Sequence, residues 1–190
     1  LISDDVGIGK TVEAGLIAAE LLAQGDAKRL AVLCSPALAE QWQRELREKF
    51  HVEAELVLPS TVLRLERGCG PGVSLFERHP YVIVSMDFIK SESRRLDFLR
   101  ACPDLVIIER EGASIRADEA RAVRDLAARK PIESDRKVLV LDEFHLVTEA
   151  VGPILLKTIE EPPPGTFFVI LADDIPPDLI TIASRCVRID

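Results

Sequence analysis

The sequence predicts a three-layer α/β fold built on a mostly parallel sheet. Two observations carry that prediction. Short runs rich in aliphatic and β-branched residues alternate with helical stretches along the whole chain. Several of these runs, such as Val138-Leu139-Val140-Leu141 and Phe167-Phe168-Val169-Ile170-Leu171, are apolar without interruption, which is the pattern of strands covered on both faces. With 47% hydrophobic and 29% charged residues over 190 positions, the chain fills the core of one domain or of two small ones.

The elements follow in order. Strands are expected at 30–34, 55–58, 81–85, 105–109, 137–142, 166–172 and 186–189. The first helix, 10–24, is rich in Ala and Leu and stops at Gly25, a natural C-cap. Ser35 and Pro36 supply an N-cap and a first-turn proline for a helix over 37–50. There Leu38, Trp42, Leu46 and Phe50 recur every four residues as one apolar stripe. A helix over 118–129 places Ala120, Val123 and Leu126 on one face, and another over 149–161 does so with Val151, Ile154, Leu155 and Ile159. Pro162-Pro163-Pro164-Gly165 ends the latter. Cys69-Gly70-Pro71-Gly72 reads as a loop.

Composition removes several classes. Net charge is −8, and residues 1–109 carry 13 Lys+Arg against 17 Asp+Glu while 110–190 carry 11 against 15. Each part is therefore acidic, so a globally basic nucleic-acid binder is excluded and any DNA contact needs a local patch. No apolar run reaches the roughly 18 residues of a membrane span. No export signal opens the chain. The four cysteines stand far apart, at 34, 69, 102 and 186, so no zinc knuckle or redox pair is visible and reduced thiols in the cytoplasm are expected. The chain opens on Leu1 rather than on a methionine, as a fragment does.

The most informative stretch is Asp4-Asp5-Val6-Gly7-Ile8-Gly9-Lys10-Thr11. A loop that wraps phosphates needs glycines to turn backbone N–H groups inward, and the helix that follows aims its positive end at the same anion. The spacing is that of a P-loop, with Asp4 in place of the first glycine. Asp5, Val6, Gly7, Ile8, Gly9, Lys10 and Thr11 are thus the candidate ATP-binding residues, with Lys10 reaching the β and γ phosphates and Thr11 holding Mg²⁺. The acidic partner is Asp142-Glu143, at the carboxyl end of the Val138–Leu141 run, where open α/β sheets bind ligands. Asp142 is expected to orient Mg²⁺, and Glu143 to position and deprotonate the attacking water.

Residues 1 to about 102 resemble the first ATPase lobe of Swi/Snf-type DNA translocases of helicase superfamily two. The stretches that carry this are 4–15, Cys34-Ser35-Pro36-Ala37-Leu38-Ala39-Glu40-Gln41-Trp42 and Ile83-Val84-Ser85-Met86-Asp87-Phe88. The resemblance implies ATP hydrolysis coupled to movement along duplex DNA. It breaks at the acid pair, where Asp104-Leu105-Val106-Ile107-Ile108 is followed by Glu109-Arg110 instead of Asp-Glu. From about Pro103 to Asp190 the chain is similar to the delta-prime-type subunit of the DNA polymerase III clamp loader, an AAA+ module. That similarity rests on Arg136 through Glu143, on Leu155-Leu156-Lys157-Thr158-Ile159-Glu160-Glu161-Pro162-Pro163 and on Ser184-Arg185-Cys186. It implies that Arg185 reaches across a subunit interface to a neighbour's ATP site, with clamp-loader-like subunits as partners.

A single P-loop domain over residues 1–190, made of segments 1–102 and 103–190, is therefore expected, with the seam near residues 102–111. The site is whole if the strand over 137–142 sits beside the P-loop strand at Leu1-Ile2. If 105–109 takes that place, Arg110 faces the phosphates. Three functions stay open: a Mg·ATP-binding and ATP-hydrolysing domain of DNA transactions, a non-catalytic clamp-loader subunit that donates Arg185, and a chimera without a cellular task. Lesser signals divide in the same way. Arg185 is a trans-acting finger or a surface arginine, and His145 part of a DExH-like box or a helix-start residue. Asp173 is a sensor or a capping acid. Trp42 stacks on a base or packs the apolar stripe. Lys90, Arg94 and Arg95 meet DNA or line a solvated helix face.

Overall fold

Residues 10–109, 117–142, 144, 152–172, 177 and 180–187 are described here from a computed structural model. The elements in chain order are α1 (Lys10–Gln24), β1 (Leu30–Cys34), α2 (Pro36–Phe50), β2 (Glu55–Val57), α3 (Val62–Arg67), α4 (Leu75–Arg78) and β3 (Tyr81–Ser85). They continue with α5 (Met86–Ile89), α6 (Glu92–Ala101), β4 (Leu105–Ile108), α7 (Ala117–Ala127), β5 (Lys137–Leu141), α8 (Gly152–Glu160), β6 (Thr166–Ile170) and α9 (Ile180–Ala183). No described helix is long and apolar enough to cross a membrane.

The strands form one six-stranded sheet in the order β2-β3-β1-β4-β5-β6. Every pairing in it is parallel. Because side chains alternate across a strand, each strand feeds both faces. Leu30, Val32, Leu105, Ile107 and Val140 point to the face covered by Ala14 and Ala18 of α1 and by Ala39, Trp42 and Leu46 of α2. Ala31, Leu33, Val106, Ile108, Leu139 and Leu141 point to the other, covered by Phe98 of α6, Val123 and Leu126 of α7 and Leu155 of α8. The result is the expected three-layer α/β sandwich, and it explains why the strands read as unbroken apolar runs.

β4 is the centre of this arrangement. Leu105–Ile108 pairs on one side with Leu30–Leu33 of β1 and on the other with Val138–Leu141 of β5. β5 in turn is flanked by β4 and β6. A strand has only two edges, so neither β4 nor β5 has an edge left for Leu1-Ile2. Both alternatives drawn from the sequence, the 137–142 strand or the 105–109 strand directly beside the P-loop strand, are corrected by this pairing, so a site joining residues 4–11 to Asp142 would have to form across β6, the outer strand on that side among the described residues.

Other expectations shift less. The helix expected at 149–161 is present over Gly152–Glu160, and residues 149–151 lie outside the described set. The strand expected at 186–189 is not found at its described residues. The Arg185 and Cys186 amides instead donate to Ile182 and Ala183 carbonyls in a turn after α9, and Val187 is exposed. Four short helices, α3, α4, α5 and α9, had no expectation attached to them, and α6 carries Arg94 and Arg95, which were expected on a solvated helix face or against DNA.

The amino edge of the sheet is closed by buried charge. Asp104, just before β4, accepts the backbone N–H groups of Lys28 and Arg29 through one carboxylate oxygen, at 2.8 and 3.1 Å. Arg29 donates through Nε to Glu133 (2.7 Å) and through its two terminal nitrogens to the carbonyls of Phe76 (2.7 Å) and Glu77 (2.9 Å). Lys137 opens β5 fully buried. Its Nζ donates to Leu126 O at 2.6 Å, to Cys102 Sγ at 2.9 Å and to Arg129 O. An ammonium has three protons, and all three are used. Two of the acceptors are carbonyls, Leu126 O in the last turn of α7 and Arg129 O just past it.

Two outcomes follow. Ile107→Ala, at a fully buried position of β4, is expected to cost about 2–5 kcal/mol in urea unfolding; a loss under about 1 kcal/mol would contradict the central place of β4. Burial lowers the Lys137 pKa from the ordinary lysine value, opposed by Cys102 and Asp104 and reinforced by Arg129. The unfolded chain therefore keeps this proton to higher pH than the folded one, and stability rises with pH between the folded value and the ordinary lysine range. Lys137→Met is expected to flatten that rise in unfolding free energy against pH; equal slopes in the two proteins would refute it.

Candidate functional site

In a parallel sheet all strands end at one edge, and that edge collects the acidic residues at stake. Asp142 follows β5 and is only 2% exposed. Its backbone N–H donates to Ile108 O at 3.0 Å, which carries the β4–β5 ladder one step past the strand. Two residues on, the N–H of the fully buried Phe144 donates to Leu171 O at 3.0 Å, beyond the end of β6. The chain is thus pinned to a neighbour on each side of position 143. Glu143 itself lies outside the described residues.

The corresponding acid of β4 has another use. Glu109, the residue after the strand, accepts a hydrogen bond from the indole Nε1 of Trp42 on α2. Its backbone N–H donates to Leu33 O at 2.9 Å. The Cys34 thiol at the end of β1 is pushed far up from its ordinary pKa, by burial first and by the Glu109 charge second, so it stays protonated and inert. Trp42, 1% exposed, belongs to the core and to this contact; the base-stacking alternative is removed.

α1 opens at Lys10, where the glycine loop was expected to hand over to a helix. Residues Asp5, Val6, Gly7, Ile8 and Gly9 and the Lys10 side chain lie outside the described set, and Thr11 is half-buried in the first turn. The far end of α1 reaches the amino edge, since Ser134 Oγ donates to Asp26 O at 3.3 Å and the Lys28 and Arg29 amides meet Asp104. Lys10 is about 21 Å from that end along the helix axis.

Arg185 stands just past α9 with its side chain 48% exposed. Its Nε lies 3.3 Å from Glu160 Oε1, and Nη1 donates to Thr181 O at 2.8 Å. The proposed basic patch is largely neutralised from within. Lys90 pairs with Asp87 at 2.5 Å, and Arg94 pairs with Glu66 and lies 5.2 Å over the Phe88 ring. His145 and Asp173 lie outside the described residues.

A cleft of about 820 Å³ opens at the amino edge, the end of the sheet opposite Asp142. Its lining balances Lys28, Lys130 and Arg136 against Asp26, Glu133 and Asp135, so it offers no net field to a triphosphate. Sequence reasoning missed the Trp42–Glu109 contact. The available signal was an acid at the end of an apolar strand and the lone tryptophan of the chain.

Comparison with known proteins adds the ancestry. The family described as DNA polymerase III, delta subunit matches residues 91–190, from the start of α6 through β4, β5 and β6. The chain belongs to that family. It is also similar to the RNA polymerase-associated protein RapA of Klebsiella pneumoniae, 29% identical over 137 residues, which is 69% of this chain and 14% of RapA. A second relative is the uncharacterized ATP-dependent helicase YqhH of Bacillus subtilis, 37% identical over 109 residues, 57% of this chain and 17% of the helicase. A solved structure of a DNA polymerase III gamma subunit-related protein of Thermotoga maritima aligns with 18% identity and a TM-score of 0.41, covering 93% of this chain and 45% of that one. Both resemblances drawn from the motifs therefore hold. The chain spans less than a fifth of the length of the two curated relatives. The matches to RapA and to the delta-subunit family together exceed the 190 residues available, so they share part of the chain.

Trp42→Phe is expected to leave the Glu109 carboxylate without its indole donor and to lower stability by about 1–3 kcal/mol. Urea unfolding followed by circular dichroism checks this, and an unchanged midpoint would show that the contact carries no weight.

Proposed function

We propose that this delta-family chain is a Mg·ATP-binding and ATP-hydrolysing domain that acts in DNA transactions. The observation that supports this most is the place of Asp142, a buried acid at the β5 tip, on the edge of the sheet where open α/β folds bind ligands. Membership in the DNA polymerase III delta-subunit family and similarity to a helicase support the DNA setting.

The donor chemistry fits the ion. A threonine hydroxyl and a carboxylate are hard oxygen ligands, the kind Mg²⁺ prefers, and Thr11 and Asp142 would hold it. Bound Mg²⁺ would neutralise charge on the phosphate oxygens during transfer. In this reading Asp5, Val6, Gly7, Ile8 and Gly9 wrap the phosphates with backbone N–H groups. Lys10 places a positive charge on the terminal phosphates, and Glu143 accepts the proton of the attacking water. Lys10→Ala is expected to weaken Mg·ATP binding at least about tenfold, the scale of one lost charge-assisted contact. Glu143→Gln is expected to keep binding and stop hydrolysis. Calorimetric titration with Mg·ATP and a phosphate-release assay read the two, and ATP affinity indifferent to Lys10→Ala would sink the proposal.

One observation favours the second reading, a clamp-loader-like subunit that serves a neighbour. Arg185 is exposed and tethered on one side by Glu160 and Thr181, a posture suited to a contact made outside this chain. Arg185→Ala lowering a partner's ATPase rate while leaving this chain's own rate unchanged would support it.

A further inference from the structure

We propose that Cys102 and Lys137 are a modification site, at which a peroxide forges a covalent Nζ–O–Sγ bridge between the two side chains. The two atoms already lie 2.9 Å apart. Each is held there independently. The Lys137 ammonium is fixed by Leu126 O and Arg129 O, so it has no reason to swing away. Cys102 caps α6 with φ at +35°, its N–H bound to Phe98 O. That left-handed backbone is costly for a residue with a Cβ, and it sets the direction of the thiol.

Both residues are buried, Cys102 to 2% exposure and Lys137 to none. Bulky thiol reagents are excluded, whereas hydrogen peroxide is close to water in size. Its way in is the end of α7 and the turn after it, which supply the Leu126 and Arg129 carbonyls and include exposed residues 128–130. Helix ends of this kind open locally at small cost. Burial also lowers the Lys137 pKa, which makes the neutral amine easier to reach than on an exposed lysine. None of the other cysteines has an amine at this range among the contacts of the described residues: Cys34 sits beside Glu109, and Cys69 Sγ donates to Leu65 O.

The chemistry balances with two molecules of peroxide. One oxidises the thiol to a sulfenic acid and leaves as water. The other converts the neutral amine to a hydroxylamine and also leaves as water. Condensation of S–OH with HO–N then forms the S–O–N linkage and releases a third water. Sulfur and nitrogen each lose two electrons, and each peroxide gains two. The bridge would tie the end of α6 to the start of β5, positions 35 residues apart.

The test is intact-mass and peptide mapping of the purified protein after hydrogen peroxide, with and without dithiothreitol. The expected product gains one oxygen and loses two hydrogens, joins the peptides carrying Cys102 and Lys137, has a raised thermal midpoint, and reverts on reduction. Cys102→Ser and Lys137→Arg should each abolish it, while the Cys69→Ser/Cys186→Ser double variant should retain it. If Lys137→Arg fails to fold, Cys102→Ser decides. Oxygen gained at Cys102 without loss of hydrogen, an unchanged mass, or a product that survives either abolishing variant would overturn the proposal.

Discussion

The structure depends on β4 having a partner on each side. Four residues, Leu105–Ile108, hydrogen-bond to β1 and to β5 at once. Without that strand the sheet falls into a three-stranded piece, β2-β3-β1, and a two-stranded piece, β5-β6. The first comes from the helicase-like part of the sequence and the second from the part matched by the delta-subunit family. A two-stranded unit is marginal in water by itself. β4 therefore does more than continue a pattern: it joins the strands of the two segments into one sheet, and it is where their resemblances overlap. A strand paired in parallel on both edges and covered on both faces needs apolar side chains throughout, which is why four consecutive aliphatic residues stand here.

The two edges of that sheet divide the work. At the amino edge Asp104, Arg29 and Lys137 are engaged mainly by backbone groups, and two contacts cross the seam: Asp104 with the Lys28 and Arg29 amides, and Arg29 with the Glu133 carboxylate. Such contacts are costly to leave half made, because each buried charge without its partner would carry the full cost of desolvation. At the carboxyl edge the acids are arranged unequally. Glu109 is turned toward Trp42 and Cys34, and Asp142 remains at the tip of the next strand. In sequence, Glu109-Arg110 stands after β4 where an Asp-Glu pair was expected, and Asp142-Glu143 stands after β5, one strand along the sheet.

Much of this was legible from the residues. Five of the six strands lie within a residue of their expected bounds, because an uninterrupted apolar run between turn residues has little else to be. α1 stops at Gly25, whose φ of +76° is the left-handed turn a glycine supplies. The short helices were invisible for a physical reason. α4 and α5 have four residues each, too few to show a 3.6-residue period. α6 buries only Phe98, Leu99 and Ala101 near its end, so its pattern is weak. The stretch 186–189 reads as strand in sequence, but β-branched propensity says nothing about whether a partner edge is at hand, and the described residues Cys186 and Val187 are not in a strand. Lys137 was read as part of a strand, yet its charge reads as solvent-facing. Only the fold brings α7's last carbonyls to its nitrogen. The glycine-lysine stretch at 4–11 is read as a phosphate loop from its spacing, and it lies outside the described residues except for Lys10 and Thr11.

The central claim is that one strand binds both segments into a single cooperative unit. Trp42 is the only tryptophan, and it reports on the helicase-like segment. Amide exchange at β5 and β6 reports on the other. Urea unfolding followed by both probes is the direct test. The account predicts coincident midpoints and a single transition. Separate midpoints, with β5 and β6 exchanging freely while Trp42 keeps its native emission, would contradict it.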